Sequence, residues 1–181
     1  DRAVPSVQTA RLRATAAGAT SARFEEAELE TFVAAQKFDA IIGRLVLMYL
    51  PDPAAVLRRL RHCLRQGGIM AFQEIDISQV SQVPASTLFG NVTGWINAAF
   101  RAGGTELDMG SKLLATFLRA GVPRPTMIAA ARVESGPQSP AYEYATAILR
   151  SLLPLIERSG IATAEQIGIE TLADRLRPTI V

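Results

Sequence analysis

The chain has 181 residues, enough for one domain with a sizeable buried core, and its 49% hydrophobic and 20% charged content is ordinary for a globular fold. Seventeen of the 19 basic residues are arginine, balanced by 17 acidic ones, so a net charge of +2 and a mild arginine cluster at 58, 59, 61 and 65 do not make the concentrated basic surface that nucleic acid needs. A single cysteine (Cys63) and a single histidine (His62) exclude an internal disulfide framework and argue against a Cys/His zinc site, and no apolar run reaches the ~18 residues of a membrane span. These features lead to the expectation of a soluble, cytoplasmic protein that binds no metal, nucleic acid or membrane.

The first helix is expected over Pro5–Ala17, with Val7, Ala10, Ala14 and Ala17 at helical spacing, proline in the first turn and Gly18 at the end. Ala22–Glu25 reads as a short strand, and the apolar run FDAIIG (38–43) as a strand buried on both faces. Asp52-Pro53 starts the next helix, with Asp52 placed to cap it and Val56, Leu57, Leu60 and Leu64 forming its buried stripe. Gly67-Gly68 is expected to end that helix before a strand at IMAFQEI (69–75), giving a βαβ unit with a right-handed crossover.

Beyond residue 80 the pattern turns mainly helical. Leu88, Phe89, Val92, Trp95, Ile96, Ala99 and Phe100 form a wide apolar stripe within 86–102, and a further helix is expected over Asp108–Ala120, stopped by Gly121 and Pro123. TMIAAARV (126–133) reads as a strand. A long helix follows, with Tyr142, Ala145, Leu149, Leu152 and Ile156 on one face and Pro154 expected to kink it. Thr163 and Gln166 suggest a capping box, and a last helix carries Leu172 and Leu176 up to Pro178. Alternating α and β over the first 80 residues argues for a parallel sheet with helices on both faces.

Ligands of open α/β sheets bind beyond the carboxyl ends of the strands, so the residues following each strand are the informative ones. The run from Phe38 to Glu74, FDAIIG-RLVLMYLPDP, a helix, then LRQGG-IMAFQE, resembles the second half of a class I S-adenosylmethionine-dependent methyltransferase domain. Gln66 stands where that family usually has proline. Upstream, DRAVPSVQTARLRATAAG resembles the family's acidic residue and helix after its second strand, and ARFEEAELE its next acidic turn. MGSKLLATFLRAGVP resembles the helix before the sixth strand of small-molecule methyltransferases.

The resemblance implies an α/β, Rossmann-like, mostly parallel sheet that is incomplete, with its first and last strands absent, a helical lid insertion and a helical C-terminal part. It divides the single domain into a cofactor-binding α/β part (1–76), a lid or substrate insertion (77–122), and a strand plus helices (123–181). The implied cofactor is S-adenosyl-L-methionine. Asp1 would hold the ribose hydroxyls, Glu28 the adenine amine with Leu29 on the ring, and Gly43, Arg44, Leu45 and Tyr49 the methionine end. Gly43 would let the backbone approach closely, and Arg44 would pair with a carboxylate. Glu74 is the candidate general base, with a solvated strand end or a bond to the lid backbone as alternatives for it, and Asp76 a lesser candidate. Trp95 and Phe89 would line the pocket of a small, partly apolar substrate, with a homodimer left open. The alternative function is a truncated or degenerate, non-catalytic interaction or dimerisation module, and a nicotinamide-binding relative is a further rival. The family's glycine-rich turn would precede Asp1, so residues are expected to be missing in front, and the 181 residues alone are expected to be marginally stable.

Overall fold

The computed structural model describes residues 1–179. Helix α1 (Val4–Ala16) forms as its proline and alanines dictate, but it buries just Val7. The Arg11 guanidinium ties α1 to the following segment, donating from Nε and Nη2 to the Phe24 carbonyl at 3.2 and 2.7 Å. Ala22–Glu25, expected as a strand, is irregular. It still meets residue 1. The Asp1 main-chain nitrogen donates to the Glu25 carbonyl and the Ala27 amide donates to the Asp1 carbonyl, so Asp1 bonds to both flanks of Glu26, as in a parallel pair one residue long.

Strands β1 (Phe38–Arg44) and β2 (Leu64–Gln73) pair in parallel across helix α2 (Pro53–Arg61), the βαβ unit that the pattern requires. The Asp52 carboxylate accepts the Ala55 amide at 3.0 Å and caps α2, an interaction typically worth ~1 kcal/mol. The end of α2 differs from expectation. The helix stops at Arg61, Leu64 already pairs with Phe38, and the register jumps so that Ala40 faces Ile69. Gly67 and Gly68 therefore sit inside β2, not at a helix end, and absorb the jump. Gly67 takes φ +77°, and a Cβ on Gly68 would meet the Arg65 and Asp39 carbonyl oxygens at 3.0 and 3.1 Å.

The sheet is covered on one face, where both were expected to be buried. Ile41, Gly43, Met70 and Phe72 face a core made by Leu47, Met48, Ala54, Leu57 and helix α4 (Met109–Arg119), which contributes Met109 and Phe117. Phe72 meets Phe117 edge to face, with centroids 6.1 Å apart at 73°. The opposite face carries Ala40, Ile42, Ile69 and Ala71, with Ile42 79% and Ile69 66% exposed. A period-2 strand buries its second face under another layer, and none of the described helices lies there.

Helix α3 (Thr87–Ala102) packs on α5 (Ala141–Arg158), and α5 on α7 (Leu172–Leu176), in a second core of Val92, Ile96, Ala99, Tyr142, Leu149, Ile156, Ile167 and Leu172. The two helices of residues 77–122 thus belong to different cores, and Ile77 touches both. Helix α5 runs on through Pro154 to Arg158. Thr163 and Gln166 form the expected capping box at the start of α6 (Ala164–Ile167). TMIAAARV is no strand: Ile128 and Val133 are 92% and 89% exposed, and the segment pairs with neither β1 nor β2.

Candidate functional site

The carboxyl ends of β1 and β2 meet in a loop whose shape is fixed from three sides. The Leu45 amide donates to the Gln73 carbonyl at 2.9 Å, extending the ladder one residue past β1. Glu74, just beyond β2, then accepts the Val46 and Leu47 amides on its Oε1 at 2.9 and 2.8 Å. The Glu106 amide closes the far side on the Met48 carbonyl at 2.8 Å. Leu47 and Met48 are 0% and 2% exposed and plug the turn Leu47–Tyr49 into the α2–α4 core. Between these anchors Leu45 adopts φ +52°, the one non-glycine residue in the left-handed region among those described. That conformation costs about 1–3 kcal/mol and persists where surrounding bonds over-determine it, most often at functional sites.

Arg44, at the end of β1, is exposed, and its guanidinium makes no hydrogen bond or ion pair among the described residues. Tyr49 is 47% exposed, and its partial burial, then the Glu74 charge, then Tyr144 push its phenol above the ordinary 10.0. Gly43 has a different reason for being glycine than close approach to a ligand. A Cβ there would overlap the Phe72 ring, so the glycine makes room inside the core.

The other candidates form a second group. Asp1 lies beside Glu26 with Glu28 two residues on, so the two acidic positions are neighbours. The Asp1 carboxylate accepts the Ala3 amide on Oδ1 at 2.8 Å, and its Oδ2 takes no hydrogen bond from the described residues. Glu28 is exposed and Leu29 half-buried. No hydrogen bond among the described residues joins this group to the Arg44–Tyr49 loop. Trp95 packs against the α3–α5 core, while Phe89 is half-buried at the start of α3.

Asp76 has a structural task that sequence reasoning missed. Its carboxylate accepts the Ser111 amide at 2.9 Å and the Ser111 hydroxyl, capping α4, while Asp108 at the cap position itself makes no capping bond. Gly110 is glycine because a Cβ would lie 2.9 Å from Asp76 Oδ1. A cap donated from 35 residues away leaves no local spacing to read. On the other side of this turn Glu106 is held below the ordinary carboxylate range, first by its hydrogen bond to Lys112 at 2.5 Å and then by the Asp108 amide.

A family model described as a methyltransferase domain matches residues 1–113, from Asp1 through the first turn of α4. The chain belongs to the class I methyltransferase domain family. The methyltransferase-domain match takes in α1, β1, α2, β2 and α3, whereas α5 to α7 lie outside it. No curated protein matches the chain significantly. Among the described residues no helix is long and apolar enough to cross a membrane, and no three His, Cys, Asp or Glu side chains converge to hold a metal ion.

Proposed function

We propose that the chain transfers a methyl group from S-adenosylmethionine to a small, partly apolar molecule by in-line displacement. The observation that carries this reading is the Arg44–Tyr49 loop, a conformationally strained and heavily anchored turn at the carboxyl ends of two parallel strands. The residues fit the cofactor at two points. Asp1 keeps a free carboxylate oxygen for a ribose hydroxyl, with Glu28 and Leu29 close behind for adenine, and Arg44 has an unengaged guanidinium for the amino-acid carboxylate.

When bound, the cofactor supplies the electrophilic methyl carbon. The protein's own task is to fix position and exclude water. In this reading Arg44 and Leu45 hold the methionine end, Tyr49 borders it, and Gly43 belongs to the same strand end. Helix α3 acts as a lid, with Trp95 and Phe89 facing an apolar acceptor, on a Rossmann-like frame of which β1 and β2 are two strands.

Calorimetric titration of S-adenosylhomocysteine into the folded chain tests the reading. Micromolar binding, lost in Asp1→Ala and weakened in Glu28→Ala and Arg44→Ala, supports it. A chain shown folded by circular dichroism that takes up neither this ligand nor S-adenosylmethionine overturns it in favour of a non-catalytic interaction module.

A further inference from the structure

Glu74 follows β2 directly, at the point where a proton acceptor for the methyl-accepting group would be sought, yet its geometry suits another task. One oxygen, Oε1, takes two backbone amides, Val46 at 2.9 Å and Leu47 at 2.8 Å. The other, Oε2, is sealed from solvent with no hydrogen-bond partner. A general base must come within hydrogen-bond reach of the proton that it removes, and neither oxygen is open to a substrate.

The bonds made by Oε1 instead fall on the two residues that follow Leu45, where the backbone turns left-handed at φ +52° before Val46 returns to φ −119°. Adjacent amides pointing at one carboxylate oxygen define the direction of the peptide planes on the C-terminal side of that turn. The Leu45–Gln73 bond defines them on the N-terminal side. The placement of Arg44, Leu45 and Tyr49 therefore depends in part on the Glu74 carboxylate, just past the neighbouring strand.

We infer that Glu74 is a positioning residue: its carboxylate clamps the Val46 and Leu47 amides and so sets the Arg44–Tyr49 loop in the shape that receives the amino-acid end of the cofactor. The inference rests on the cofactor reading proposed above. It assigns Glu74 no proton transfer, and it predicts that an uncharged side chain with an acceptor oxygen in the same place suffices.

Glu74→Gln keeps that oxygen and Glu74→Leu removes it, so the pair separates a clamp from a base. Two readouts on the whole chain are needed: calorimetric affinity for S-adenosylhomocysteine, and amide exchange of Val46 and Leu47 followed by NMR, with α3 and α5 amides as the control for folding. Glu74→Gln is expected to stay within roughly threefold of the parent affinity with both amides protected. Glu74→Leu is expected to lose roughly tenfold or more, with both amides exchanging fast and the α3–α5 amides unchanged. If Glu74→Leu fails to fold, Glu74→Gln still decides. Loss of affinity in Glu74→Gln with the loop amides still protected overturns the inference, because the carboxylate then acts on the ligand directly. Parent affinity in a folded Glu74→Leu chain overturns it too, as does undiminished protection of both amides there. A parent chain that binds no S-adenosylhomocysteine sinks the cofactor reading and the loop's assigned purpose with it, whereas the exchange data report separately on whether the clamp exists.

Discussion

Replacing Gly43 by alanine tests whether that glycine serves the core. The added Cβ would lie 2.5 Å from Phe72 Cδ1 and nearer still to Cε1, whereas carbon atoms settle at about 3.5–4.0 Å. The ring must retreat by roughly 1 Å, and the direction of retreat is limited by its edge-to-face contact with Phe117 at 6.1 Å. Overpacking costs about 1–3 kcal/mol and the aromatic pair is worth about 0.5–1.5 kcal/mol, so a loss of about 2–3 kcal/mol is expected. For a chain of this size that lowers Tm by roughly 4–12 °C. Urea denaturation followed by circular dichroism on Gly43→Ala, Phe72→Ala and the double variant forms the assay. Once the ring is gone the extra methyl has space, so Gly43→Ala should cost less than about 0.5 kcal/mol in the Phe72→Ala background. Equal costs in the two backgrounds would refute the steric reasoning and return Gly43 to a role outside the core.

Asp76→Ala should destabilise the chain by about 1–2 kcal/mol in the same denaturation assay, because α4 loses both of its capping bonds. The Tyr49 phenol should titrate above 10.0 in an ultraviolet difference titration against Tyr49→Phe, since burial and the Glu74 charge disfavour the phenolate. The folded state prefers the neutral form, so this shift contributes stability that is present below the ordinary value and lost as pH climbs through the raised one. Glu74→Gln should bring the phenol part of the way down and leave it above 10.0, because burial is the larger cause.

The helices were legible where a cap and a stripe coincided. Asp52-Pro53 with Val56, Leu57 and Leu60 located α2, and Thr163 with Gln166 located the start of α6, because the partners of each cap lie within four residues. Strands were legible only with a partner nearby. FDAIIG and IMAFQE found each other across α2, whereas Ala22–Glu25, half of it charged, and the apolar TMIAAARV pair with neither strand. The site was readable as a place, through the resemblance of the RLVLMYLPDP run, but not as a mechanism. Composition and spacing cannot tell that Glu74 reaches back 28 residues to Val46, or that Asp76 reaches forward 35 to Ser111. Gly43 shows the same limit, since glycine next to a ligand and glycine beneath a ring read alike in the chain.

The bare face of the sheet has a practical consequence for anyone who handles the protein. Ile42 and Ile69 stand side by side with alanines on the parallel ladder, and each of the two strands keeps one edge unpaired among the described residues. Such a surface is a template for further strands, and a net charge of +2 gives two molecules little reason to stay apart. The charged groups that bracket it, Arg44 at one end and the Arg65–Asp39 ion pair at the other, act as gatekeepers. Neutralising them should cost the fold little and the solubility of the chain a great deal.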